Sequence, residues 1–179
     1  MRAVILCLAV LAALPASAQT GAPSKETLSL ASRVARAADP RLEQNLQTLV
    51  VNLATTYRTM AGRTGEAVDE RALADVGASE AEAVKPLLWD GMARIYAETY
   101  SLDELKLLNA FYRDNPGAPP EKLPISLGNR NDDLMRREQE LVSQLGPRIL
   151  QDFFGDYCSR AHCSNDIRRT AGLPVRAAN

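Results

Sequence analysis

Two of the three cysteines, Cys158 and Cys163, stand near the C-terminal end in the run C-S-R-A-H-C, with the single histidine, His162, between them. The simplest chemistry for that pair is a disulfide, because two cysteines in an exported chain meet an oxidising compartment. Four intervening residues at a helix end can fold back far enough to bring the two α-carbons within bridging range. A metal site would use both thiolates with His162. Structural zinc asks for four ligands, however, and a second pair to answer the first is missing. Redox catalysis would prefer C-x-x-C, which this is not. Cys158 and Cys163 are therefore expected to be bonded to each other, with no metal and no cofactor.

Hydrolytic chemistry finds little to work with. The sequence holds no G-x-S-x-G elbow, and its one histidine lies in the tail, which leaves a Ser-His-Asp triad without its base. Carboxylate pairs of the kind a glycosidase needs do occur, as Glu98 with Asp103 or Glu104. Glu104 already has a task as the fourth member of a capping box opened by Ser101, and Asp103 sits where a helix N-terminus favours negative charge. No Gly-rich phosphate cradle appears. No catalytic residue is expected. What remains is surface: Phe111 to Gly117 reads F-Y-R-D-N-P-G, and Tyr112, Arg113 and Asp114 form a candidate interaction surface, since Tyr and Arg are enriched where partners bind. The competing reading makes Phe111 and Tyr112 core residues, with the tyrosine hydroxyl at the rim.

The elements that would position these groups are helices. Aromatic residues are few, Ala, Leu, Glu and Arg abound, and no alternating β-branched run is sustained. Residues 1–18 read as a secretory signal peptide: Arg2, a short apolar run to Leu14, then Pro15 and Ala16-Ser17-Ala18, with cleavage between Ala18 and Gln19. The run is too short to span a bilayer, and no later stretch is long and apolar enough to do so. Residues 19–23 form a flexible tether, and 24–163 a single all-α domain. Ser24 caps a first helix. Asp39-Pro40 opens a second, whose stripe is Leu42, Leu46, Leu49, Val50, Leu53 and Tyr57. A weak helix follows from Glu66 to Val76, then a break at Gly77-Ala78, then a new helix capped by Ser79 and Glu82, with Pro86 kinking it or delaying its start. Trp89 is expected in the core with its N–H near the surface, and Gly91 either as a close-approach position or as a tolerated surface glycine. The best-written helix begins at Ser101 and stops at Asn115-Pro116-Gly117. A Pro- and Gly-rich hinge leads from there to Gly128. A last long helix carries Leu134, Leu141, Leu145, Ile149 and Phe153 inward and is bent or broken near Gly146-Pro147. The polar tail, 164–179, is expected to fray. The fold class is thus an all-α bundle of about five to six helices.

Near-neutral charge bounds the partners. The formal net charge is −1, and neither Arg136-Arg137 nor Arg168-Arg169 makes the basic stripe that nucleic acid requires.

The order of signal peptide, helices, aromatic-S-x-x-E-L, F-Y, P-G and a last long helix resembles an exported bacterial protein family known as domain of unknown function twenty fifty-nine. The likeness covers roughly residues 87–154 and rests on Tyr100 to Gly117. After Gly117 this chain runs A-P-P-E-K-L-P, more proline-rich than that family's pattern. The resemblance implies an all-α periplasmic protein and carries over no catalytic residue or cofactor. Together these features predict a periplasmic, or secondarily secreted, non-enzymatic protein binding an envelope protein, peptide or lipid between its helices. The alternative is an envelope hydrolase, on peptidoglycan for example, acting through Glu98.

Overall fold

A 30-residue helix, α3 (Glu70–Thr99), packs against all four of the other long helices. The structure, a computed structural model, describes residues 22–177. The predicted signal peptide and its cleavage point at Ala18 and Gln19 lie outside those residues. Around α3 pack α1 (Lys25–Ala38), α2 (Leu42–Thr64), α4 (Leu102–Asp114) and the second 30-residue helix, α6 (Asn131–Arg160). Two short helices, α5 (Ile125–Gly128) and α7 (Asn165–Thr170), complete the bundle. Among the described residues there is no strand, and no helix is long and apolar enough to cross a membrane.

The predicted caps explain several boundaries. The Ser24 hydroxyl accepts the Thr27 N–H and starts α1. At α4 the Ser101 N–H donates to Glu104 Oε2 at 2.7 Å while the Glu104 N–H donates to Ser101 Oγ, a closed capping box. Gly117 takes the left-handed φ of +67° that ends the α4 segment, and its N–H donates to the Ala37 carbonyl. The stop thereby docks the end of α4 onto the end of α1.

Elsewhere packing overrode local signals. Gly77-Ala78 is not a break, and Ser79 and Glu82 open no new helix, because α3 starts earlier, at an Asp69 side chain that accepts the Ala72 N–H, and continues unbroken. A Cβ on Gly77 would lie 2.6 Å from Val50 Cγ1, so this glycine is where α2 crosses closely over α3. Gly91 does the same for α6, with Leu141 Cδ2 at 2.6 Å from the position of a Cβ. Pro86 and Pro147 are both carried inside their helices, each at the loss of one backbone bond, and the last long helix is bent but continuous. Asp39 ends α1 rather than opening α2, which begins after Arg41.

The core divides in two. One cluster joins α1, α4, the C-terminal half of α3 and the start of α6, around Val34, Trp89, Tyr96, Leu105 and Leu134. The other joins α2, the N-terminal half of α3 and the end of α6, around Tyr57, Leu73, Phe153, Phe154 and Tyr157. The tail belongs to this second cluster and does not fray at once: Ser164 caps α7, and Ile167 and Leu173 are buried. Apolar burial of those two side chains outweighs the polar composition that suggested a loose end.

Candidate functional site

The disulfide is present, Cys158 to Cys163, with the α-carbons 4.8 Å apart. Bonded to each other, these sulfurs are not thiolates and cannot serve as a metal pair with His162. Both are buried, and the Tyr57 hydroxyl lies 3.4 Å from the Cys163 sulfur while donating to Glu66 Oε1 at 3.3 Å. Burial first, then the negative charges around it, pushes that phenol far above its ordinary range. Tyr157 accepts the Asp69 N–H at 2.9 Å, and Glu66 in turn accepts the Ser164 N–H. Every hydroxyl here is spent on joining elements. This end of the molecule is structural.

The carboxylates considered for hydrolysis are likewise committed. Glu98 is exposed and pairs with Arg137 at 3.2 Å, Asp103 pairs with Lys106 at 2.8 Å, and Glu104 pairs with Arg130 at 2.9 Å while closing its capping box. Burial would raise Glu104, but the Ser101 hydrogen bonds and Arg130 outweigh it and hold the group below its usual value. Glu98 lines an open groove between α3 and α6 beside Arg94, Arg136 and Arg137, and the second acid there, Glu140, is paired with Arg136.

The predicted interaction surface splits. Arg113 and Asp114 are exposed and pair with each other at 2.9 Å. Tyr112 is only 4 % exposed, so it is not a surface residue. Helix α4 buries it together with Leu105 and Leu108 on the inward stripe, and Phe111 packs half-buried against it, the ring centroids 5.1 Å apart.

Tyr112 instead opens onto a half-open cavity of about 330 Å³ lined by α1, α3, α4, α6 and the loop before α5. Tyr96 on the last turn of α3 and Tyr100, the residue that caps α3, line it as well, and each is at most 5 % exposed. Leu108, Leu123 and Leu134 supply apolar wall. Asp39, Glu121 and Glu138 supply three carboxylates, and no basic side chain lines the cavity. Outside the lining, the Arg130 guanidinium sits 5.9 Å from the Tyr100 ring centroid and is turned to the Thr99 carbonyl and Glu104.

Polar groups in this cavity are poorly served by the protein. The Tyr100 hydroxyl donates to the Leu127 carbonyl over a long 3.5 Å. Among the described residues the Tyr96 and Tyr112 hydroxyls and the Glu138 carboxylate have no hydrogen-bond partner, yet neither hydroxyl is sealed from the cavity. Burial, with the negative charge of Asp39 added, pushes Glu138 up to about 7. Burial and the neighbouring Tyr112 lift Tyr100 to about 12, against the opposing pull of Arg130. Tyr96 and Tyr112 are raised by burial and, after it, by Glu138. Three phenols and three carboxylates thus line one space.

Sequence reading reached Tyr112 but not its neighbours. Glu138 carried a usable signal: it falls four residues after Leu134 and three before Leu141, a carboxylate set into the apolar seam of α6. Compared with protein-family models, with characterised proteins and with solved structures, the chain matches none.

Proposed function

We propose that this is an exported, periplasmic, non-enzymatic helical protein that binds an envelope ligand or partner group between its helices, in the cavity faced by Tyr96, Tyr100, Tyr112 and Glu138. The observation carrying this reading is the convergence of three tyrosines and Glu138 on one cavity, where the Tyr96 and Tyr112 hydroxyls and the Glu138 carboxylate bond to no protein group among the described residues. Water can reach these groups in the cavity, and a ligand offering matching donors or acceptors can take its place. Aromatic walls with a few convergent polar groups are the usual make-up of a ligand site. The signal-like N-terminus and the Cys158–Cys163 disulfide support export. The likeness of Tyr100–Gly117 to the exported family named above belongs to the same proposal. A peptidoglycan hydrolase working through Glu98 is the weaker reading, since Glu98 faces arginines and lacks a second free carboxylate.

One experiment tests the proposal. The protein is recovered from the periplasm, its N-terminus read for a start at Gln19, and its native mass compared with that of Ala118→Trp. Ala118 lies on the loop wall of the cavity, and the tryptophan would fill it. The expected outcome is a bound small molecule or peptide on the wild type that Ala118→Trp lacks. Identical, ligand-free masses would sink the binding reading.

A further inference from the structure

We infer that the group this cavity accepts is a small organic ammonium ion, held between the carboxylates of Glu138 and Asp39 and the faces and hydroxyls of Tyr96, Tyr100 and Tyr112. This rests on the binding role proposed above and names its ligand class. The lining carries three carboxylates and no base, so an anion entering it would meet only like charge. A cation gains twice: it pairs with carboxylates in a partly water-excluded space, and it lies against the negative faces of aromatic rings. Tyr96 and Tyr112 offer hydroxyl oxygens that no protein donor occupies among the described residues, and an alkylammonium brings N–H donors for them. The apolar wall of Leu108, Leu123 and Leu134 suits the alkyl part and disfavours a bare metal ion, which would ask for a fuller shell of oxygen ligands. Arg130 does not compensate the acids, because Glu104 and the Thr99 carbonyl already hold it.

The geometry also ties binding to pH. The charged and titratable groups facing Glu138 are Asp39 from the end of α1, Glu121 from the loop, Tyr96 and Tyr100 from α3 and Tyr112 from α4, with Arg130 behind Tyr100. Only Glu138 is placed to change charge near neutrality. An ammonium binds its ionised form, so affinity rises between pH 6 and pH 8, where the ligand itself stays protonated.

The test uses three probes of one size on the purified protein: pentylammonium, 1-pentanol and pentanoate, titrated calorimetrically at pH 6 and pH 8. Pentylammonium is expected to bind at least about tenfold more tightly than 1-pentanol at pH 8, the difference a charge-assisted contact makes. Glu138→Gln should remove most of that preference and its pH dependence. Equal binding of ammonium and alcohol, or tighter binding of pentanoate, would overturn the ammonium assignment and leave the binding site standing. No binding of any probe would overturn the site as well. The wild-type series alone decides the matter should Glu138→Gln fail to fold.

Discussion

Helices α3 and α6 each run through two cores that treat their polar groups in opposite ways. Around Phe153 and Tyr157 the core is sealed: Tyr57 reaches Glu66, Tyr157 receives Asp69, and the disulfide pins the end of α6 to the residues before α7. Around Tyr96 and Glu138 the same two helices leave hydroxyls and a carboxylate facing a cavity. The neighbours make the difference. In the first core α2 crosses over Gly77 at close range and α7 closes the end. In the second, α1 and α4 stand either side of a proline-rich loop that forms a wall instead of a plug. The sealed core and the cavity thereby stand at opposite ends of shared helices. Changes at one end should be legible as stability and changes at the other as binding.

The largest test of that division is Phe153→Ala. The ring is fully buried and packs edge-on against Phe154. Its removal should cost about 3–5 kcal/mol in a urea unfolding curve; a loss below about 1 kcal/mol would mean the sealed core is not the anchor. A matched pair of hydroxyl deletions sharpens the comparison further. Tyr157→Phe strands the Asp69 N–H and should cost about 1 kcal/mol. Tyr96→Phe removes a hydroxyl that bonds to nothing in the protein and should move the midpoint hardly at all. Equal losses at the two positions would erase the distinction.

The smallest effect is electrostatic. Glu138 titrates near 7 when folded, above the usual carboxylate value it has when unfolded. The folded state therefore binds the extra proton between those values, and stability falls as the pH rises through about 4.5 to 7. After allowance for solvent screening at a site open to water, the drop should stay under about 1 kcal/mol. Glu80, raised by burial and by Asp156 and Asp152, contributes with the same sign. The Glu138 share is thus the difference between wild type and Glu138→Gln measured at pH 5 and pH 8. A flat difference would place that carboxylate in water.

The sequence was most legible where the determinants are local. Ser24, Ser101 with Glu104, and the Pro116-Gly117 stop act within one turn of chain, and each behaves as its chemistry dictates. Leu46, Leu53 and Tyr57 could be read as an inward stripe because helical spacing alone aligns them. Gly77 misled because its use depends on Val50, a residue of another helix that no local pattern reveals. Tyr112 was noticed for its type, but whether it faced solvent or a cavity depended on α1 and α6. The cavity end draws on Asp39, Tyr96, Tyr112 and Glu138, four positions from four segments. No spacing rule joins them, and only the folded chain does.

The division of the core also has a consequence for how the chain is made. The buried members of the cavity-bearing core end at Leu134, whereas those of the sealed core continue through Cys163 to Leu173. A polypeptide delivered from its N-terminus has therefore presented every wall of the cavity while the cysteines are still to come. Bond formation between Cys158 and Cys163 then acts as a late latch, fixing the end of α6 to the residues before α7 after α2 and the first half of α3 have long been delivered.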